Sequence, residues 1–203
     1  MNVPPPLTTR QEEILDHTLA LLREQGLARL TMKKVATRVG FTEPALYRHY
    51  ATKEDLLLGV LGRLEGMLLG PARQIAAERS APASVRLGRV VTHHAKLLLA
   101  TDGLPILLFA EFSATGQERP LARMRGILKA YVTLLAGLLR EARGSRPGPA
   151  PEELAYLFLG IGVALGLRRR LLPEAELEQA EVERHLHFVI AGVAAAGEGE
   201  EEK

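Results

Sequence analysis

The sequence predicts an all-α chain of about nine helices: an N-terminal three-helix helix-turn-helix domain joined by a long helix to a larger helical domain. Three observations carry this. Leucine occurs 37 times while aromatic residues make up only 4% of the 203, a core composition that favours helices over strands. Apolar residues recur at helical spacing and nowhere alternate as in a half-buried strand. Glycine and proline fall between these periodic runs, where helices stop and start.

The elements follow in order. Thr9 stands three residues before Glu12, the spacing of a capping box, and Ile14, Leu15, Thr18, Leu21 and Leu22 form one apolar stripe that Gly26 ends. Thr31 opens a second helix, MKKVATRV, with Val35, Ala36 and Val39 inward and Lys33, Lys34 and Arg38 outward; Gly40 stops it. Thr42 caps a third helix, about two turns long and reaching Tyr50. Its first turn holds Glu43 and Pro44, where proline's missing N–H costs nothing. Thr52-Lys53-Glu54-Asp55 starts a long fourth helix towards Glu78. SAPAS at 80–84 precedes a fifth helix running to about Thr101, and DGLP at 102–105 opens a sixth that ends near 116–120. A seventh covers 121–143, and GSRPGPAP at 144–151 is the clearest loop. Two last helices span 152–172 and 175–196, and GEGEEEK closes the chain as an acidic tail. The expected domains are 1–52, 53–196 and the tail 197–203.

Composition excludes several functions. Without cysteine there is neither a disulfide framework nor a thiolate zinc site. MNVPPPLTTR is a proline-rich arm rather than a basic start followed by an apolar run, so a secretory signal is not expected and the location expected is cytoplasmic. Net charge is only +2, yet residues 29–53 hold six Lys/Arg against one Asp/Glu. Such a patch is either a solvated basic face or the seat of an anionic partner.

The third helix favours the partner. A recognition helix needs small or capping residues at its start, outward donors, and an apolar face on its partner helix. Ala45 leaves room against a base pair, Leu46 and Tyr50 can face inward, and Arg48 can reach guanine O6 and N7. Tyr47, His49 and Lys53 are placed to bond phosphates. The competing reading makes Tyr47 and His49 interface residues of a small helical hairpin.

The run from Thr9 to Leu57 resembles the DNA-binding domain of TetR-family transcriptional regulators. The matching residues are Ile14-Leu15-Asp16, Gly26, Thr31, Val35-Ala36, Gly40-Phe41-Thr42, Ala45-Leu46-Tyr47, His49-Tyr50 and Thr52-Lys53-Glu54. The resemblance implies phosphate contacts at Thr31, Thr42, Tyr47, His49 and Lys53, and base reading at Glu43, Pro44, Ala45 and Arg48. Lys33 joins the candidate DNA surface. Two departures stand out: Phe41 replaces a smaller aliphatic residue, and Glu43 stands where a basic residue or glutamine is frequent.

In that family the remaining helices form a ligand-binding and dimerisation domain. Here Leu154–Leu167 is a run of fourteen uncharged, mostly apolar residues, too short for a membrane span and closed by three arginines. A helix apolar all round must be buried all round, which points to a second subunit. The expected dimer face comprises Tyr156, Leu159, Gly160, Val163 and Leu167, with Leu186, Val189, Ile190 and Val193 on the last helix. Candidate residues for an effector cavity are Arg63, Met67, His93, Leu97, Phe109, Phe112, Tyr131 and Leu135. Phe109 and Phe112 read better as ordinary core residues. Adjacent His93 and His94 point about 100° apart on a helix and cannot chelate together, so no metal is expected.

The resulting expectation is a homodimeric repressor that binds a palindromic double-stranded DNA operator and is released by a small apolar effector. It has no cofactor, catalytic residue or membrane partner. Two alternatives stay open: a DNA-binding regulator of this fold without an effector, and a helical lipid-binding or enzymatic protein that no longer binds DNA.

Overall fold

Helix starts leave backbone N–H groups unpaired, and Thr8 and Gln11 satisfy the first of these in the chain. In the computed structural model, which describes residues 7–172 together with Arg184 and Phe188, α1 spans Thr9–Gln25 with Thr8 as its N-cap. Gln11 N–H donates to Thr8 Oγ1 (3.2 Å), and Thr8 N–H donates to Gln11 Oε1 (3.0 Å). The cap therefore lies one residue before the expected Thr9–Glu12 pair, because glutamine completes the reciprocal pair as glutamate does.

Seven further helices follow: α2 (Met32–Val39), α3 (Glu43–Tyr47), α4 (Lys53–Ala77), α5 (Ala83–Ala100), α6 (Leu104–Thr115), α7 (Glu118–Arg143) and α8 (Pro151–Leu171). No strand occurs among the described residues, and the fold is all-α. The helix expected over 175–196 lies outside the described residues except at Arg184 and Phe188, both helical. Two elements depart from expectation. The third helix ends at Tyr47 rather than Tyr50, because His49 N–H and Tyr50 N–H both turn back to the Leu46 carbonyl (3.0 and 3.1 Å). α7 starts three residues early, with Pro120 in its first turn, where no intrahelical partner awaits an N–H.

The chain divides into two compact units. The first takes the residues up to Leu64 together with Leu107–Met124; the second takes Glu65–Ile106 with the residues from Arg125 on. Helices α4, α6 and α7 each contribute to both.

In the first unit, α1 packs on α2 and α2 on α3. Ile14, Leu15, Leu22, Val35, Leu46, Leu56 and Val60 form its buried centre. The second unit buries Val90, Val91, Ala95, Tyr131, Leu135, Ala155 and Phe158 in one cluster, with α5 and α8 in extensive contact. The same unit also buries an arginine. Arg86, only 1% exposed, donates from Nε to the Ala81 carbonyl (3.0 Å) and from Nη1 to the Ala76 carbonyl (2.7 Å), and it pairs with Glu141 through Nη2. This guanidinium closes the turn between α4 and α5 and ties it to α7. Among the described residues no single helix is long and apolar enough to cross a membrane; α5 and α6 qualify only as a pair, bent by 72°.

Candidate nucleic-acid interface

The turn between α2 and α3 is set by Gly40, whose left-handed backbone (φ 78°, ψ 27°) an L-residue with a side chain adopts at a cost. Phe41 N–H closes it on the Ala36 carbonyl at 2.8 Å. Leu46, fully buried, fixes α3 from below. Tyr50 follows one turn later, and burial pushes its phenol up to about 12. Its ring lies so close to α4 that a Cβ at Gly59 would stand 2.9 Å from Tyr50 Cε1 and 3.0 Å from Leu15 Cδ2.

On this base the polar side chains divide by what they already hold. Thr31 caps α2, its Oγ1 accepting from Lys34 N–H (3.2 Å). Thr42 stands at the N-cap of α3 without a side-chain bond, so its exposed hydroxyl stays uncommitted. Lys34 is tied to Gln25 Oε1 (2.7 Å) and the Arg29 carbonyl (2.9 Å), and Arg38 to Glu24. Lys53 Nζ donates to the Leu27 carbonyl at 3.3 Å, and burial lowers its pKa against the opposing charge of Glu111. Lys33, Tyr47 and Arg48 are exposed, and their side chains have no hydrogen-bond or ion-pair partner among the described residues. Glu43 and Ala45 are half-buried beside them and Pro44 is exposed. Arg48 takes the C-cap position of α3.

A stack of three groups joins the start of α1 to this surface. The Arg10 guanidinium lies 4.7 Å over the Phe41 ring, and Phe41 stacks on His49 with centroids 5.9 Å apart and planes 25° apart. Arg10 also pairs with Glu13 at 2.5 Å. Phe41, the aromatic departure from the family pattern, is the sequence signal that could have found Arg10, since a cation is a natural neighbour for an exposed ring face.

The candidates for an effector site fall in both units. Met67, His93, Leu97, Tyr131 and Leu135 belong to the second; Arg63, Phe109 and Phe112 belong to the first. Arg63 is held by Asp16, with Nε–Oδ1 and Nη2–Oδ2 distances of 3.2 Å. Phe112 is fully buried while Phe109 is half exposed. Of the two adjacent histidines, His93 is only half-buried and donates from Nε2 to the Met67 carbonyl (2.8 Å). His94 is the buried one, its ring centroid 4.8 Å from that of Tyr131. The stripe Leu87–Val91–His94–Leu98, at spacings of four, three and four, carried the signal for His94 over His93.

On α8, Tyr156, Gly160 and Leu167 are exposed, and Leu159 and Val163 are half-buried. Leu157, absent from the sequence-based dimer set, is 68% exposed, so this apolar helix leaves one face open in the single chain. Leu186, Val189, Ile190 and Val193 lie outside the described residues. Among the described residues no three His, Asp or Glu side chains converge as a metal-binding group.

Residues 14–60 match the family model described as bacterial regulatory proteins, tetR family. A nucleoid occlusion factor SlmA from a Marinomonas species is 31% identical over 147 residues, covering 70% of this chain and 74% of that protein. The fatty acid metabolism regulator protein of Bacillus subtilis is 26% identical over 142 residues, covering 70% and 71%. Among solved structures, the transcriptional regulator FadR from Bacillus subtilis in complex with stearoyl-CoA superposes with a TM-score of 0.74 at 20% identity, covering 92% of this chain and 98% of that one.

Proposed function

The chain belongs to the TetR family of bacterial regulatory proteins, and from that premise we propose a homodimeric transcriptional repressor that binds a palindromic DNA operator and is released by a small, largely apolar effector. The observation that carries this reading is a set of uncommitted side-chain donors on and beside a short helix whose apolar side is buried. Lys33, Tyr47 and Arg48 stand exposed with no partner of their own, while Leu46 and Tyr50 anchor the same short segment. In this reading Arg48 and the first turn of α3 read bases. Thr31, Lys33, Thr42, Tyr47, His49 and Lys53 hold phosphates, and Lys53 would exchange the Leu27 carbonyl for the backbone of the duplex.

The open apolar face of α8 supports the dimer. Tyr156, Leu157 and Leu167 on one helix suit a two-fold contact, which would place two readers one helical turn of DNA apart, roughly 34–36 Å. The apolar interior of the second unit, and a fold-mate solved with stearoyl-CoA, support an apolar effector. An effector releases DNA only as far as it prefers the non-binding state; a coupling of roughly 1–3 kcal/mol gives about 5–150-fold weaker operator binding. With this reading goes a cytoplasmic location, where an operator would be met.

A second reading, kept beside the first, is a DNA-binding protein of the same fold without a small-molecule effector. The deciding experiment is selection of random duplex DNA at two salt concentrations. An enriched palindrome is expected. Binding with no enriched motif that vanishes as salt rises would sink both readings. On the selected site, Arg48→Ala should relax preference at one base position by about 1–3 kcal/mol, whereas Lys33→Ala should weaken all sequences alike and flatten the salt dependence. Equal losses on every sequence from both variants would contradict these roles.

A further inference from the structure

Among the buried polar side chains of the second unit, Arg86 and Thr101 are hydrogen-bonded, and one neighbouring pair is not. His94 on α5 and Tyr131 on α7 are buried side by side with ring centroids 4.8 Å apart. His94 Nδ1 and Tyr131 Oη have no hydrogen-bond partner among the described residues. The ring of His94 lies against α8 at Gly162, where an added Cβ would stand 2.8 Å from Nδ1. Three helices therefore converge on two polar groups inside an otherwise apolar cluster of Val90, Val91, Leu135 and Phe158. Buried polar groups are hydrogen-bonded as a rule, and adjacent exceptions call for a partner from outside the chain.

We propose that His94 and Tyr131 form the polar end of the effector site, and that the site takes an apolar molecule carrying an uncharged hydrogen-bonding group, a carbonyl or a hydroxyl. The proposal rests on the effector reading above and specifies its chemistry. A phenol offers one donor and two acceptor positions, and a neutral imidazole one of each, which suits a carbonyl or an alcohol. Both groups are uncharged near neutrality: burial pushes His94 down to about 4, helped by the neighbouring His93, and burial raises Tyr131 above its ordinary range. A carboxylate would need a cation beside it. The buried guanidinium of this unit, Arg86, is already held by the Ala76 and Ala81 carbonyls and by Glu141, and His93 is bonded to Met67. Buried charge without a partner is excluded from such a site.

The test uses the full chain and three twelve-carbon probes: 1-dodecanol, 2-dodecanone and dodecanoate at pH 8. Thermal denaturation and release from the selected operator duplex are read together. The alcohol and ketone are expected to bind at least about tenfold more tightly than dodecanoate, since a site built to bond a neutral group discriminates strongly. Tyr131→Phe removes one oxygen and keeps the ring, so it should fold, bind operator and lose most of that preference. Equal binding of dodecanoate overturns the proposal. So does a Tyr131→Phe protein with a raised Tm and unchanged probe affinities, which would mean that an ordered water or nothing at all occupies the pair. If none of the three probes shifts Tm or releases the duplex, the effector reading falls and takes the proposal with it. A probe preference of the opposite sign leaves the effector reading standing and removes only the proposal.

Discussion

Both compact units carry exposed ion pairs and an unpartnered buried phenol, but among the described residues the second also buries a guanidinium and a histidine. In the first, charges sit at the surface in pairs that solvent screens: Arg38 with Glu24, Arg63 with Asp16, Arg119 with Glu54 at 2.5 Å. Its exposed face keeps Lys33, Tyr47 and Arg48 uncommitted. In the second, one guanidinium is buried and bonded on three sides, and a neutral histidine and tyrosine are buried with nothing to bond. The first arrangement suits a surface that exchanges water for an anionic partner. The second suits an interior whose polar groups are few and individually costly to disturb.

The contrast can be broken by mutation, and the largest effect belongs to Arg86. Arg86→Met strips two half-buried carbonyls of their donor and leaves Glu141 to Arg79 alone, and should destabilise the protein by about 2–5 kcal/mol in urea unfolding. A loss under about 1 kcal/mol would mean that water replaces the guanidinium. His94 comes next, through pH. Its native pKa near 4 lies below the ordinary 6.5, so between those values the unfolded chain binds the extra proton. The stability contributed by the neutral, buried ring is complete above pH 6.5, declines as pH falls towards 4 and is lost below it. The window holds on the order of 3 kcal/mol. The difference between wild type and His94→Gln, measured across pH 4–7, isolates this group; a parallel pair of curves would show that His94 titrates normally. The smallest effect is expected in the first unit. Arg38→Met breaks an exposed pair that solvent screens and should leave the urea midpoint almost unchanged. A shift comparable with that of Arg86→Met would erase the distinction between the two units.

Local chemistry made much of the first unit readable. Gly40 ends α2 with the left-handed turn that its sequence position suggests, and Thr31 caps α2 through its side chain. Neighbouring choices were harder. Thr8 and Thr9 both precede a suitable N3 residue, and only the three-dimensional cap selects Thr8. Periodicity gave α3 two turns, yet the bonds to the Leu46 carbonyl tighten the chain after Tyr47. In the interior, the choice between His93 and His94 turned on a 100° rotation that a stripe of neighbours fixes and an isolated dipeptide does not. Lys53 appeared free by sequence, but its lowered pKa and its bond to Leu27 depend on a carbonyl 26 residues away. Contacts of that separation leave no local trace.

Arg119 reaches Glu54 at 2.5 Å and Asp55 at 3.4 Å, and all three belong to the first unit although the whole segment Glu65–Ile106 intervenes in the chain. The match to the family ends at residue 60, but the compact unit containing it does not. Folding must close that long loop before Leu107–Met124 can dock, an entropic cost that rises only slowly with loop length but delays the contact. For exchange of modules between relatives, the consequence is a rule about cut sites. A chimaera spliced after Leu64 would keep the motif and part Glu54 and Asp55 from Arg119; one that also carries Leu107–Met124 would transplant the unit whole.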